Sequence, residues 1–255
     1  MKVISSLSEW RELRAGLDDD IGFVPTMGAL HEGHASLIRQ SVQDSVVNVL
    51  SIYINPTQFN NPSDLANYPD TMREDLCWAD KLGVDVVLTP TYAQLYPDDF
   101  RYQVNETEFS HELCGADREG HFTGVMTVVM KLFNLVRPSR AYFGEKDYQQ
   151  YLLIRDMCEA FFMDVEIVAC PTVRETDGLA MSSRNLMLDA DGRRRAATLN
   201  RMLRKGCTDA TAASALERAG FAVDYVTTRD DRRFAAARLR CEDREVRLID
   251  NVRRG

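Results

Sequence analysis

The sequence predicts an α/β fold, in which helices cover both faces of a mostly parallel sheet and a smaller α+β domain follows. Short apolar stretches such as "VVNVLSIYI" (residues 46–54) and "VDVVLTP" (84–90) are typical of strands buried on both faces of a parallel sheet. Between these stretches, apolar residues recur at the spacing of helices. Strands that alternate with helices along a chain indicate a parallel sheet.

The elements follow in order from the N-terminus. Apolar residues at helical spacing predict a first helix at 7–17, and "IGFVPTMG" (21–28) is predicted to be a strand that ends in turn residues. A helix is expected from about Gly33, and residues 63–83 are expected to form a helix–loop–helix. The segment 124–138 repeats apolar residues at helical period, so we predict a helix that stops at its proline.

A change of pattern after Val173 indicates a domain boundary. Before it we expect a strand in "AYFG", a helix over 147–162 and a strand at 165–173. After it, two helical stretches precede two stretches that resemble strands. We therefore assign residues 1–173 to a Rossmann-like domain and residues 174–255 to a small α+β C-terminal domain.

The charge balance argues against nucleic acid as a partner. The formal net charge is −8, whereas proteins that bind nucleic acid through phosphates are usually basic. Residues 229–255 do hold nine arginines against six acidic residues. For this stretch we favour a solvated surface of mixed charge over an RNA-binding face.

The composition also favours a cytoplasmic protein that does not bind membranes. No apolar run reaches the roughly 18 residues that a membrane span needs. The N-terminal stretch "MKVISSLSEWRELRAGL" has the pattern of an amphipathic helix rather than of an export signal. Six cysteines without a C-x-x-C pair favour reduced, mostly buried thiols over disulfides or a zinc site.

The first chemical motif is "PTMGALHEGH" (25–34), at the transition from a predicted strand to a helix. Ligands of open parallel sheets bind beyond the carboxyl ends of the strands. Gly28 allows a close turn, and a helix N-terminus attracts phosphate through unpaired N–H groups. His31 and His34 lie three residues apart near this end, where each could donate a hydrogen bond to a phosphate oxygen. A His-x-Gly-His alone is a weak signal, but in this position it indicates a phosphate site.

Two further motifs carry phosphate-binding residue types. In "YFGEKDYQQ", Lys146 is expected near phosphates and Asp147 could hold Mg²⁺ directly or through water, although a surface turn is the alternative. "RETDGLAMSSRN" offers two serine hydroxyls and Arg184 in a loop that we expect to bind phosphate without another helix. Walker A, G-x-G-x-x-G and G-x-S-x-G motifs are absent. Together the motifs predict a bound triphosphate, attack at its α-phosphate and loss of pyrophosphate.

At this point the chain resembles a known family. "PTMGALHEGH", "SIYINPTQF", "NYPDT", "GHFTGVMTVVMKLFNLVRPSRAYFGEKDYQQ", "DGLAMSSRN" and "RLIDN" occur in order, most densely between residues 21 and 187. This combination resembles the pantothenate synthetase (pantoate–β-alanine ligase) family, in the nucleotidyltransferase superfamily that carries HIGH-type and KMSKS-type signatures. The combination is more specific than any single motif.

The resemblance implies an amide-forming ligase of pantothenate and coenzyme A biosynthesis. ATP and pantoate would give pantoyl adenylate and pyrophosphate, and β-alanine would then give pantothenate and AMP. It also implies Mg²⁺, a homodimer, and a C-terminal domain that closes over the nucleotide. Residues 1–173 would bind ATP and pantoate.

Site residues are implied by motif position. His34, His31 and Lys146 would be catalytic, and Asp147 would hold Mg²⁺. The substrates pantoate and β-alanine would contact Gln58, Gln150, Pro25, Met27 and Tyr68, the last on a flexible lid. ATP would contact Met27, Gly28, Ala29, Leu30, His31, Glu32, Gly33, His34, Gly144, Glu145, Lys146, Asp147, Val173, Met181, Ser182, Ser183 and Arg184.

The sequence departs from the family pattern at Asp70, at Glu119 and in a C-terminal domain that we expect to be shorter than usual. His121 is a further candidate near the amine or the phosphates, and His111 is expected at the surface. Two other functions stay open at this point. A plain adenylyltransferase would keep AMP in its product, and a nucleotide-binding regulator or RNA-binding relative would have lost catalysis.

Overall fold

The computed structural model describes residues 1–17, 19–242 and 244–254. The chain forms two compact units. The first unit is Met1–Glu145 with Gln149–Cys170, and the second unit is Lys146–Tyr148 with Pro171–Gly255. Among the helices of the described residues, none has both the length and the apolar content to cross a membrane.

The first unit contains a parallel sheet of six strands in the order β1-β4-β3-β2-β5-β6. The strands are β1 (Lys2–Ile4), β2 (Ile21–Thr26), β3 (Val47–Ile52), β4 (Val86–Leu88), β5 (Arg140–Gly144) and β6 (Glu166–Cys170). Because β2 pairs with β3 on one side and β5 on the other, the strand order reverses between β2 and β5. Ligands of open α/β sheets bind at such a point, beyond the carboxyl ends of the strands.

Helices pack on both faces of this sheet. The helices are α1 (Leu7–Arg14), α2 (Glu32–Asp44), α3 (Pro62–Ala66), α4 (Met72–Lys81), α5 (Tyr92–Leu95), α6 (Cys114–Asp117), α7 (His121–Val136) and α8 (Tyr148–Ala160). Val24 of β2 is buried in one cluster with Leu37 and Ile38 of α2. Its neighbour Phe23 meets Phe133 of α7 edge to face, with ring centroids 6.2 Å apart. Successive residues of a strand point to opposite faces, so α2 and α7 cover opposite faces.

The second unit combines an antiparallel sheet with short helices. Its strands are β7 (Phe221–Arg229), β8 (Arg232–Cys241) and β9 (Arg244–Arg253), in that order. Its helices are α9 (Ala190–Ala196), α10 (Thr198–Leu203) and α11 (Asp209–Arg218). Leu199 and Leu203 of α10 and Leu216 of α11 share a buried cluster with Leu239 and Leu248 of the sheet. The α/β fold predicted from the sequence is confirmed, with a parallel sheet first and a small α+β unit after it.

The structure corrects part of the interpretation of the arginine-rich stretch. Residues 229–255 were expected to be a solvated surface of mixed charge, and five of their nine arginines are exposed, but most of the stretch forms β8 and β9, and Arg232 and Arg233 are buried. Arg233 is 0% exposed and donates hydrogen bonds to the carbonyls of Leu203 and Lys205, while its Nε lies 2.8 Å from Asp209 Oδ1. Burying this charge is tolerable because carbonyls and a carboxylate surround it.

The sequence reasoning missed two strands, and two further elements have other bounds than predicted. β1 has only three residues, and β8 contains a run of three alanines, which have low strand propensity. The strand expected over 165–173 ends at Cys170, and the helix expected over 124–138 already begins at His121. Cys114, Cys158, Cys170 and Cys241 are buried and Cys207 is half-buried, whereas Cys77 is exposed.

Candidate active site

The loop that follows β2 turns sharply before α2. Gly28 has φ +80° and Ala29 has φ +48°, so two consecutive residues lie in the left-handed region. A Cβ on Gly28 would lie 2.9 Å from Asp75 Oδ2 and 3.1 Å from Ile52 Cγ2, so a side chain at this position would collide with its surroundings. The strained turn brings the backbone of this loop against α4.

Asp75 of α4 holds this loop and was missed by the sequence reasoning. The side chain is 3% exposed, and its two carboxylate oxygens accept the N–H of Ala29 at 2.8 Å and that of Leu30 at 2.7 Å. Thr71 Oγ1 donates to the same carboxylate at 3.1 Å. Charge-assisted bonds of this kind are stronger than neutral ones. One signal was available, since Asp75 lies four residues before the buried Ala79 on one face of α4.

His31 caps α2, and its ring contacts that of His34. His31 Nδ1 accepts the N–H of Gly33 at 3.1 Å, so this nitrogen carries no proton and a neutral His31 is protonated on Nε2. The ring centroids of His31 and His34 are 4.1 Å apart and the planes are tilted by 33°. The expectation that the two histidines lie together near the helix N-terminus is confirmed. A fixed Nε2–H is suited to donate to a phosphate oxygen.

Gln58 is held in a buried polar network at the 3₁₀ helix Pro56–Gln58. Asn55 Nδ2 donates to the carbonyl of Gly124 at 3.2 Å and to Gln58 Oε1 at 3.0 Å. The amide of Gln58 is thereby oriented, with Nε2 3.2 Å from Met27 Sδ. Gln58 and Met27, both predicted to contact substrate, therefore lie together. Burial raises the pKa of Tyr96 to about 12, so its hydroxyl stays protonated and donates to Asn55 Oδ1 at 2.9 Å.

His121 positions the backbone of Gln58. The ring of His121 is 8% exposed, and its Nδ1 lies 2.8 Å from the carbonyl oxygen of Gln58. Its Nε2 lies 2.9 Å from Arg118 Nη1, which can only donate, so Nε2 accepts and the proton is on Nδ1. A second proton on this ring would face the guanidinium. His121 thus contacts the Gln58 segment, and its place near the amine or the phosphates stays a prediction.

The remaining residues that the sequence singled out in the first unit differ in burial and in their contacts. Gln150 is half-buried in the first turn of α8, whereas its neighbour Gln149 is buried and bonds Cys114, Phe109 and Glu112 by hydrogen bonds to their backbones. Tyr68 meets Phe59 edge to face at 5.7 Å. Pro25 is half-buried within β2 and Glu32 pairs with Arg39 at the surface. Asp70, Glu119 and His111 are exposed.

Lys146 begins the second unit, two residues after the end of β5. Its ammonium lies 3.5 Å from Asp147 Oδ1, and the lysine side chain is 17% exposed against 47% for the aspartate. The backbone carbonyl of Lys146 accepts a hydrogen bond from Asn251 Nδ2 at 2.9 Å. Within the described parts of the chain, no group of three or more His, Cys, Asp or Glu side chains could hold a metal ion.

The serine-rich motif follows a short hairpin. Arg174 and Ala180 form a β-bridge, and the N–H of Met181 donates to the carbonyl of Val173 at 3.0 Å. Ser182 then caps a 3₁₀ helix, Ser183–Met187, by accepting the N–H of Arg184 at 3.3 Å. The sequence predicted a loop without another helix at this motif, and that expectation is wrong. Serine is a favoured N-cap residue, and here Ser182 precedes a 3₁₀ helix of five residues. Val173 and Met181 to Arg184 do lie together.

Comparisons with known proteins agree with one another. The model of the family described as pantoate-beta-alanine ligase matches residues 1–253. The pantothenate synthetase of Bdellovibrio bacteriovorus is 53% identical over 251 residues, which cover 98% of this chain and 98% of that protein. The pantothenate synthetase of Legionella pneumophila is 47% identical over 253 residues, which cover 98% of this chain and 99% of that protein.

The structure is also similar to a solved pantoate-beta-alanine ligase from Francisella tularensis, complexed with beta-gamma ATP and beta-alanine. The TM-score is 0.93 at 36% identity, and the match covers 99% of this chain and 97% of that one. The pantothenate synthetase of Thermus thermophilus gives a TM-score of 0.89 at 38% identity, covering 99% of both chains. These matches span nearly all of each relative, while the expectation of a C-terminal domain shorter than is usual for the family stays a prediction.

Proposed function

The chain belongs to the pantoate–β-alanine ligase family, and we propose that it joins pantoate to β-alanine through an enzyme-bound pantoyl adenylate. It is an ATP-dependent ligase of pantothenate biosynthesis. In the proposed course, a carboxylate oxygen of pantoate attacks the α-phosphate of ATP and pyrophosphate leaves. The amine of β-alanine then attacks the acyl carbon, and the bond to AMP breaks.

One observation carries the proposal of adenylate chemistry. The loop with His31 and His34 follows β2, Gly144 and Glu145 stand at the end of β5 and directly after it, and these two strands are neighbours where the strand order reverses. Donors from both segments are therefore expected at the edge of the sheet where a ligand of this fold binds. That arrangement suits a triphosphate whose charge shifts toward the leaving pyrophosphate.

Each donor has a proposed role in the first step. His31 donates its Nε2–H to a phosphate oxygen, because Nδ1 is committed to the N–H of Gly33. His34, in ring contact with His31, and Lys146 stabilise negative charge as it moves to the bridging oxygen. The backbone of Met27 to Gly33, with Gly144, Glu145, Val173 and Met181 to Arg184, completes the proposed contacts to ATP.

Gln58 is proposed to hold pantoate. An amide both donates and accepts, which suits an acid that carries hydroxyl groups. The network of Asn55 and His121 fixes this glutamine before substrate arrives, which lowers the ordering cost on binding. Gln150, Pro25, Met27 and Tyr68 are proposed as further substrate contacts, with Tyr68 on a mobile lid.

Mg²⁺ is proposed to enter with ATP. This cation keeps several waters and commonly binds through one or two carboxylates together with substrate phosphates. Asp147 offers one half-exposed carboxylate, which fits a cation held mainly by phosphate oxygens. When bound, the cation would offset charge on the leaving pyrophosphate. The proposal further includes a cytoplasmic homodimer that binds neither nucleic acid nor membrane, and a C-terminal domain that closes over the nucleotide.

The test is pyrophosphate release from ATP and Mg²⁺ with pantoate alone, with β-alanine alone, and with both. We expect sustained release only with both, matched by AMP and an amide product, and a burst of about one per site with pantoate alone. His34→Ala and Lys146→Ala should each slow the burst by orders of magnitude while circular dichroism stays unchanged. Sustained release without β-alanine would favour an adenylyltransferase, and no release by a protein that binds ATP would indicate a regulator.

A further inference from the structure

Asp250 and Asn251, near the C-terminal end of β9, have no part in the reaction described above, yet both are buried. They are 4% and 3% exposed, although neighbouring residues of a strand normally point to opposite faces. Burial of a carboxylate and an amide is costly unless each is hydrogen bonded. Through their hydrogen bonds, these two side chains hold two different segments that are proposed to bind ATP.

Asp250 anchors the hairpin that precedes the serine-rich motif. Its carboxylate accepts two hydrogen bonds from the guanidinium of Arg174, at 2.8 and 2.9 Å, and a third from Asn200 Nδ2 at 2.8 Å. Arg174 also donates to the carbonyl of Gly178 at 3.1 Å, across the turn of the hairpin. A bidentate pair of this kind fixes orientation as well as distance. The hairpin leads directly into Met181 to Arg184.

Asn251 anchors the segment of Lys146. Its Nδ2 donates to the carbonyl of Lys146 at 2.9 Å, and its Oδ1 accepts from Arg232 Nη1 at 2.6 Å. The guanidinium carbon of Arg232 lies 3.7 Å from the ring centroid of Tyr148, so the other end of this segment is held as well. Position and direction of the Lys146 backbone thus depend on the side chain of Asn251.

We propose that Asp250 and Asn251 are positioning residues for adenylate formation. Through Arg174, Asp250 fixes the segment of Met181 to Arg184, and Asn251 fixes that of Lys146, so adjacent residues of one strand set the spacing between two groups of phosphate donors. A displacement of about 1 Å in such a group can reduce a rate by about 10²-fold. The inference rests on the proposed roles of these two segments in the ligase reaction.

The decisive experiment is a double-mutant cycle on the pyrophosphate burst. Asn251→Asp keeps size and the acceptor toward Arg232 but removes the donor toward Lys146. We expect the burst rate to fall by about 10-fold or more, with the KM for pantoate within about twofold of the unmodified enzyme. In the Lys146→Ala background the same substitution should cause no further loss, because Asn251 acts through Lys146.

A matched control separates positioning from simple stabilisation. Asp224 of β7 is also a buried carboxylate, paired with Arg238 and Arg247 at 3.2 and 2.8 Å. Asp224→Asn and Asp250→Asn make the same chemical change in one unit. Both should lower Tm, but only Asp250→Asn should slow the burst at a temperature where all proteins are folded. Equal rates for these two variants would overturn the role of Asp250.

The outcomes distinguish this inference from the proposed function. A slow Lys146→Ala enzyme together with a fast Asn251→Asp enzyme would overturn the inference alone. A fast Lys146→Ala enzyme would remove the catalytic role of Lys146, and the inference for Asn251 with it. If Asn251→Asp does not fold, Asn251→Ser is the second variant, since its shorter hydroxyl loses the contact with the carbonyl of Lys146 together with the acceptor toward Arg232, and the same loss of burst rate is expected.

Discussion

Gly124 of α7 is a position where one added methyl group should strongly impair the use of pantoate. A Cβ built on Gly124 would lie 2.4 Å from the carbonyl oxygen of Thr57 and 2.7 Å from the amide nitrogen of Gln58. Both neighbours are backbone atoms, so no side chain can rotate away. An ordinary contact would require the two segments to separate by about 1 Å, and overpacking of this kind costs about 1–3 kcal/mol.

The displacement should reach the proposed pantoate contact directly. His121 and Arg118 hold the carbonyl of Gln58, so the strain from Gly124→Ala is expected to move the Gln58 side chain rather than dissipate in a loop. We expect kcat/KM for pantoate to fall by about 10²-fold, as for a 1 Å misplacement of a positioning group. The KM for ATP should change far less, because the loop after β2 is held by other contacts.

Steady-state pyrophosphate release at varied pantoate and at varied ATP measures both quantities, with Tm recorded alongside. Gly206→Ala is the matched control, since a Cβ at Gly206 would have no neighbour within 4 Å. A folded Gly124→Ala enzyme with unchanged kcat/KM for pantoate would refute the reasoning. Equal losses for pantoate and ATP would also refute it, because they would indicate general loosening rather than displacement of one contact.

Two further predictions concern buried groups. Asp75→Asn leaves one loop N–H without an acceptor, so we expect a stability loss of about 1–3 kcal/mol and a higher KM for ATP; an unchanged KM would disprove the role of Asp75. Burial raises the pKa of Cys158 and Cys170 to about 11, so at pH 8 only about one in 10³ of either thiol is ionised. A thiol reagent should therefore label Cys77 in the folded protein and these two only after unfolding; rapid labelling of either would contradict their burial.

The sequence predicted those features of the fold and site that depend on local signals. β2 and β3 are mostly apolar runs, which are typical of parallel strands buried on both faces. Gly28 marked the left-handed turn after β2, and the spacing of His31 and His34 placed both rings at one helix end. Gln58 was singled out by its motif, and the structure gives that residue an oriented amide.

The missed features depend on contacts between residues distant in the chain. Asp75 bonds a loop 46 positions away, and an acidic residue in the first turn of a helix ordinarily needs no further explanation. Arg233 looked like a surface charge because its carbonyl partners lie 26 to 30 positions earlier. Asn251 reaches Lys146 across 105 positions. Hydrogen-bond partners of this kind leave no periodic pattern in a sequence.

Transfer of oxygen from pantoate to AMP tests the adenylate most directly. Pantoate labelled with ¹⁸O in its carboxylate is incubated with the protein, ATP, Mg²⁺ and β-alanine, and the ¹⁸O content of AMP and of pyrophosphate is measured by mass spectrometry. The account predicts AMP with one labelled oxygen and unlabelled pyrophosphate, because the attacking oxygen stays with AMP when the amine displaces it. Unlabelled AMP, or ADP with labelled phosphate, would contradict the account.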